Sequence, residues 1–233
     1  MPGYATKQES IAVEGVDDLL IHSLLDRLQF FDPHGDAARL GISSATWPLF
    51  GLLWPSGAHL AARMASRPVS ALERILEIGC GLGLASLVGH RRGADVTASD
   101  HHPLAEAFLE QNLRANELGP LKYRHGHWGP APPVPACSGA PLAAAVAGQF
   151  DLIIGSDVLY EPDPSGDLAR FIDTHSAAAV EVWIVDPDRG NRRPFNRHMA
   201  GYGFQLREDR LRCAATPRAS AYQGRMLTYR RSA

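Results

Sequence analysis

From residue 75 onward, short apolar runs alternate with segments of helical period. Ile75-Leu76-Glu77-Ile78 is followed by Gly79-Cys80-Gly81-Leu82-Gly83 and then by a helix-like pattern over residues 85–92. That order predicts a buried strand, a tight turn and a helix N-terminus whose free N–H groups can hold a ligand. Arg91-Arg92-Gly93 stops the helix, with cations near its last carbonyls and then glycine. Residues 94–99 predict a second strand ending at Asp100, and Pro103 opens a helix over 104–118 that Gly119-Pro120 ends. Residues 121–128 predict a third strand, and 150–157 a fourth of the buried parallel type. A helix over 167–178, a fifth strand over 180–185 and a helix over 193–201 follow. Residues 204–213 and 225–231 predict two closing strands with no helix between them. The fold class is therefore α/β: a doubly wound, mostly parallel sheet of seven strands with an antiparallel C-terminal edge hairpin. Such sheets bind ligands beyond the carboxyl ends of their strands. Glu77, Asp100, Trp128, Asp157 and Asp186 fall at or just past those ends, so they are expected to converge on one crevice.

The pattern before residue 75 is weaker. Residues 1–45 read as an N-terminal extension packing on a domain of residues 46–233. Residues 17–31 have apolar positions at mixed spacing, which suits a helix or a hairpin covering one sheet edge. Two Trp-Pro pairs, Trp47-Pro48 and Trp54-Pro55, predict an extended stretch, because proline biases its predecessor away from the helical region. Ser56 is placed to cap a helix over 57–65. The proline-rich segment 129–141 reads as a flexible surface loop.

Composition narrows the setting. The chain has 233 residues, 45% of them hydrophobic, and a net charge of −2. No global basic field argues for nucleic acid or an anionic membrane. Three separated cysteines do not form a disulfide framework and suit a reducing compartment. Residues 1–18 lack the basic and apolar regions of a signal peptide, and no apolar run approaches the ~20 residues that span a bilayer. These features predict a cytoplasmic, monomeric protein with no nucleic-acid or membrane partner.

The glycine turn then limits the ligand. A dinucleotide fingerprint wants glycine or alanine where Leu84 stands, and Glu77 would repel a pyrophosphate. The same carboxylate can attract an α-ammonium. Asp100, at the end of the second strand, can accept both hydroxyls of a ribose. A nucleoside with an amino-acid tail fits this set better than a diphosphate. His101-His102 and His125-x-His127 lack a matched second ligand cluster, so no metal site is expected.

Glu77-x-Gly79-x-Gly81-x-Gly83 with Asp100 resembles the cofactor motif of class I S-adenosylmethionine-dependent methyltransferases, over residues 46–231. Trp54-Pro55-Ser56-Gly57, Asn112, Asn116 and Asp157-Val158-Leu159-Tyr160 are similar to segments of the seven-β-strand protein-lysine methyltransferases, methyltransferase family 16. Asp186-Pro187-Asp188-Arg189 resembles the Asp-Pro-Gly-Arg segment of the branch that modifies the electron-transfer flavoprotein β subunit, with Asp188 in the place of glycine. His127 stands where family members carry an acid before Trp128. The resemblance implies a Rossmann-like fold binding S-adenosyl-L-methionine, with S-adenosyl-L-homocysteine as product. It implies cofactor contacts from Trp54, Glu77, Gly79, Cys80, Gly81, Gly83, Asp100, His101, His127, Trp128 and Ser156. Asp157 and Tyr160 would bind a target amine, most plausibly a protein lysine. Each also has a plainer reading: Asp157 as a helix cap, Asp100 as a cap for the helix after Pro103, Glu77 as a surface charge, Tyr160 and the tryptophans as packing. Arg189, Arg192 and Arg193 suit either a patch for an acidic protein or a solvated face. Rival functions are a methyltransferase of the same fold acting on a small molecule or protein histidine, a nicotinamide-dinucleotide oxidoreductase, and a non-catalytic binding module.

Overall fold

The computed structural model describes residues 3–129, 143–215 and 221–233. The expected loop over 129–141 lies outside the described residues apart from Gly129, and so does Cys137. Strands β1 (Thr6–Ile11) and β2 (Leu19–Leu24) pair antiparallel as a hairpin. A short helix α1 (Asp36–Arg39), a 3-10 turn (Trp47–Gly51) and helix α2 (Pro55–Ser66) lead to the main sheet. There follow β3 (Arg74–Ile78), α3 (Leu84–Arg91), β4 (Asp95–Asp100), α4 (Ala105–Ala115), β5 (Lys122–His125), β6 (Phe150–Ser156), α5 (Asp167–His175), β7 (Ser176–Asp186), α6 (Arg192–Gly201), β8 (Gln205–Cys213) and β9 (Tyr222–Arg231). The seven strands run in the order β5-β4-β3-β6-β7-β9-β8. β5, β4, β3, β6 and β7 are parallel, and β9 pairs antiparallel with both β7 and β8. This is the expected doubly wound sheet with its antiparallel edge hairpin.

Two apolar layers hold the sheet, as the period-2 alternation of strand side chains demands. Ile75, Val96, Leu152, Ile154 and Val185 face α2, α3 and α4, whereas Leu76, Ile78, Ile153, Val182 and Ile184 face α5 and α6. Register then sets the site. Ile78 pairs with Ser99 on one side and Gly155 on the other, and Ser156 pairs with Val185. The carboxyl ends of β3, β4, β6 and β7 are therefore level. The chain turns outward from β3 in one direction and from β6 in the other, which opens a crevice between them.

Five local expectations change. The third strand, expected over 121–128, ends at His125. The N-terminal segment is a hairpin, but it lies against α4 and not on a sheet edge. Asn112 and Asn116 make this possible by supplying the partners a neighbouring strand would give. Asn112 Oδ1 accepts from the His22 N–H at 2.7 Å, and Asn116 exchanges bonds with both backbone groups of Leu20, at 2.9 and 2.8 Å. Asn112 also donates to the Leu82 carbonyl in the glycine turn, at 3.2 Å. Trp47-Pro48 is not extended but opens the 3-10 turn, where proline is accepted in the first positions; only Trp54 is extended. Ser56 does not cap α2. It is buried in the first turn, and its hydroxyl pairs with Tyr222 at 2.9 Å. Residues 176–178 belong to β7 rather than to the preceding helix.

Replacing Asn112 with alanine is expected to leave the His22 N–H and the Leu82 carbonyl without partners. A loss of about 2–4 kcal/mol follows from two unsatisfied groups. Urea denaturation would measure it, and early proteolysis within residues 12–18 would show the hairpin lifting from α4.

Candidate active site

Each glycine of the turn has a left-handed backbone, with φ of +56° at Gly79, +51° at Gly81 and +74° at Gly83. At Gly81 the second reason for glycine is steric: a Cβ would stand 2.7 Å from the Phe50 carbonyl oxygen. The turn thus packs against the 3-10 segment that precedes α2. At Gly79 a Cβ would point at Val158 and at the Trp128 ring, 3.4 Å away, so its absence opens the floor of the crevice.

Glu77 is not a surface charge, being 3% exposed. Its Oε2 accepts from the Ser86 backbone N–H at 2.8 Å and from the Ser86 hydroxyl. The carboxylate thereby serves one free backbone N–H of the first turn of α3 and the hydroxyl of the same residue. Burial outweighs those bonds and, with Asp100 nearby, pushes the Glu77 carboxyl up to about 7. Asp100 is buried with both oxygens engaged: Oδ2 accepts from Gly81 N–H and Oδ1 from His102 N–H, each at 2.8 Å. It fixes the glycine turn and the entry to α4 together. Burial raises its carboxyl pKa against the pull of these bonds.

Asp157 follows β6 with a left-handed φ of +58°. It is not a helix cap. That task at α5 falls to Asp163, whose two oxygens take the Asp167 and Leu168 N–H groups at 2.9 Å. Asp157 Oδ1 instead faces Arg189 Nη2 at 3.1 Å, and Oδ2 is buried with no partner. Burial raises the Asp157 carboxyl, while the Ser56 hydroxyl and Arg189 oppose the shift. Tyr160 stands at the rim, 46% exposed, with its hydroxyl pushed up to about 12 by burial and by Glu161.

These groups share one cavity of about 1070 Å³, open mouth included. Its walls hold Trp54, Glu77, Gly79, Cys80, Gly81, Asp100, His101, Trp128, Ser156, Asp157 and Tyr160. Gly83 acts behind the wall as the left-handed residue before α3. His127 lines a neighbouring hollow, with its ring 4.4 Å from that of His101. The two hollows share Trp128, Val158 and Tyr160. Cys80 is a buried thiol in the turn, its pKa raised by burial. Trp47 is pure packing, ringed by Tyr4, Phe30, Phe50 and His102.

One predicted placement fails. Asp186 does not reach the cavity. It is wholly buried at the end of β7, where Oδ2 accepts the Arg189 N–H at 3.0 Å and closes the turn. Arg189 and Arg192 diverge. Arg189 turns into the cavity over Trp54, 5.8 Å from its ring, whereas Arg192 is drawn into ion pairs with Asp188 and Glu208. Asp188 itself has φ +65°, the backbone that favours glycine, and its pairs with Arg192 and Arg225 hold it there. His102 was not expected at the site. Its ring stacks on Phe50 at 3.7 Å, and burial lowers its pKa to about 3, so it is a neutral wall. No cluster able to hold a metal occurs among the described residues.

A pH effect follows from Glu77. A carboxyl raised from 4.5 to about 7 keeps its proton in the folded chain after the unfolded chain has lost its own. Its stabilisation is complete below pH 4.5 and is lost as pH climbs through 7, about 3 kcal/mol in all. His102 and His125, both lowered by burial, act in the opposite sense at lower pH. The comparison is therefore between the chain and Glu77→Gln, in which these other groups cancel. Urea denaturation at pH 4.5, 6 and 8 should show the variant gaining on the parent by about that amount as pH rises.

The family profile described as lysine methyltransferase matches residues 50–193. The electron transfer flavoprotein beta subunit lysine methyltransferase of Danio rerio is 28% identical over 152 residues, 64% of this chain and 54% of that protein. Protein N-lysine methyltransferase METTL21A of Mus musculus is 38% identical over 136 residues, 58% of this chain and 56% of that protein. The chain spans about half the length of these curated relatives. In fold it resembles the magnesium protoporphyrin IX methyltransferase of Synechocystis PCC 6803, solved with bound SAM, at a TM-score of 0.54 and 16% identity, covering 76% of this chain and 78% of that one. With well over half of its residues matched, the chain belongs to the lysine methyltransferase family.

Proposed function

We propose that this chain is an S-adenosylmethionine-dependent N-methyltransferase acting on a lysine side chain of a protein substrate. The observation that carries this reading is one cavity with two chemically different ends. At one end the glycine turn and the buried acids Glu77 and Asp100 suit an amino-acid nucleoside. At the other, Asp157 lies in the wall and Tyr160 stands at the open rim.

The walls fit the cofactor on their own chemistry. Asp100 retains lone pairs beyond its two backbone bonds for ribose hydroxyls. Glu77 has both of its bonds on Oε2, which leaves Oε1 for an α-ammonium. Trp128 and the neutral His102 offer flat apolar faces for adenine, and Cys80, His101, Trp54 and Ser156 complete the enclosure. The bound cofactor supplies an activated methyl group on a sulfonium. The protein's work is then to orient an amine, exclude water and accept charge. Asp157 lines the cavity and would receive the amine on its carboxylate. Tyr160, shared by the cavity and the adjoining hollow, lines the path along which a side chain enters.

The lysine-methyltransferase names of the relatives support a protein acceptor. Among the described residues no helix is long and apolar enough to cross a membrane. The two described cysteines are unpaired, and we place the chain in the cytoplasm as a monomer with no nucleic-acid partner.

The test is transfer of labelled methyl groups from S-adenosylmethionine into a cell lysate. Amino-acid analysis of the labelled protein and mass spectrometry of the acceptor complete it. Label in methyl-lysine is the expected result. Label in methyl-histidine or in the small-molecule fraction would replace the acceptor assignment. Thermal stabilisation by NAD or NADP, with none by S-adenosylhomocysteine, would overturn the cofactor.

A further inference from the structure

Resting on that reading, we propose that Arg189 is a positioning residue that half-neutralises Asp157, so that the acceptor lysine is received as a free amine rather than as an ammonium. The geometry that carries this is asymmetric. Arg189 Nη2 holds Oδ1 of Asp157 at 3.1 Å, while Oδ2 of the same carboxylate is buried without a partner. The guanidinium also stands over the Trp54 ring and lines the cavity. Its backbone is anchored by Asp186, so the side chain is aimed inward by the β7–α6 turn.

A bare carboxylate at the transfer point would favour the ammonium form of a lysine, which has no lone pair. A fixed cation beside it disfavours that form, since like charges lower the pKa of an amine. An arginine suits this role because its guanidinium stays protonated in proteins. The ammonium proton leaves to solvent at the rim beside Tyr160. The amine lone pair then forms the new N–C bond as the donor's C–S bond breaks, and the positive charge passes from sulfur to nitrogen, next to Oδ2. Other polar groups act on or sense the Asp157 charge from neighbouring elements: the Ser56 hydroxyl on α2, Asp186 at the end of β7 and Tyr222 on β9, with Arg192 on α6 acting on Asp186. Asp186 closes the turn and Arg192 is paired with Asp188 and Glu208, which leaves Arg189 as the cation in contact with the Asp157 carboxylate.

The probe is sinefungin, the analogue of S-adenosylmethionine that bears an amine in place of the S-methyl group. Its affinity is compared with that of S-adenosylhomocysteine by calorimetry at pH 8. With Arg189→Gln, sinefungin should gain about tenfold relative to S-adenosylhomocysteine, because its ammonium then meets an uncompensated Asp157. Arg189→Lys, which keeps the charge, should leave the ratio near the parent value. On an Asp157→Asn background, Arg189→Gln should produce no gain. A merely structural arginine would move both ligands together, and a ratio unchanged within twofold in Arg189→Gln overturns the proposal. Failure of the unmodified chain to bind S-adenosylhomocysteine would instead overturn the methyltransferase reading on which it rests.

Discussion

Asp100→Ala is expected to weaken S-adenosylhomocysteine binding by about 10²–10⁴-fold. In the proposed function the carboxylate receives two ribose hydroxyls, and hydrogen bonds to a charged group are worth about 1.5–3 kcal/mol each. The substitution also frees the N–H groups of Gly81 and His102, which Asp100 holds at 2.8 Å. The glycine turn then loses its tie to the β4 end just where the ligand must lie. Asp100→Asn should be intermediate. Its amide oxygen can replace one carboxylate oxygen, but its NH₂ meets an N–H donor in place of the other. Calorimetry gives the affinities, and far-UV circular dichroism verifies that both variants remain folded. A folded alanine variant that binds within threefold of the parent would remove Asp100 from the ribose site.

The centre of the sheet was legible because β3, β6 and the second half of β7 are buried on both faces and therefore read as short continuous apolar runs between helices. The line of ligand-facing positions followed from the same pattern: where a run stops, the strand stops, and parallel strands stop on one side. Glu77, Asp100 and Asp157 follow from that rule, whereas Trp128 reaches the cavity from the loop beyond the end of β5. Asp186 obeys the same rule and still misses the cavity, because the following turn folds over its carboxylate. Strand-end position is local information, whereas the path of the next four residues depends on what packs against them.

The features that were not legible all rest on contacts between distant segments. Asn112 and Asn116 bind a strand some ninety residues away through its backbone, and a backbone leaves no side-chain signature. Ser56 looked like a cap because it follows a proline at a helix start; its actual partner, Tyr222, lies near the other end of the chain. Arg189 stands in a run with Arg192 and Arg193, which suits either a basic patch or a solvated face. The left-handed backbone at Asp188 splits that run, sending Arg189 inward and Arg192 to Glu208. An aspartate where the resemblance has glycine was the one available signal of a left-handed position there.

The second large effect concerns Asp157. Asp157→Asn should lower methyl transfer to lysine at least a hundredfold while leaving S-adenosylhomocysteine affinity within about threefold. In the proposed function positive charge develops on the attacking nitrogen beside the Asp157 carboxylate, and a preorganised carboxylate there would be worth about 3 kcal/mol in the transition state. The amide cannot supply that charge. Asparagine is the informative replacement because it tolerates the left-handed φ of +58°, which alanine would hold at a cost of about 1 kcal/mol. Stability should not fall, since the substitution removes a buried carboxylate with one unpartnered oxygen. Tyr160→Phe should act more weakly, about tenfold, because the ring that lines the path remains and only the hydroxyl is lost. Initial rates on the acceptor identified by labelling, with calorimetry for the nucleoside, separate the two ends of the cavity. An asparagine variant that retains more than a tenth of the parent rate would reduce Asp157 to a wall residue. A variant that loses nucleoside binding in parallel would place the carboxylate at the cofactor end instead.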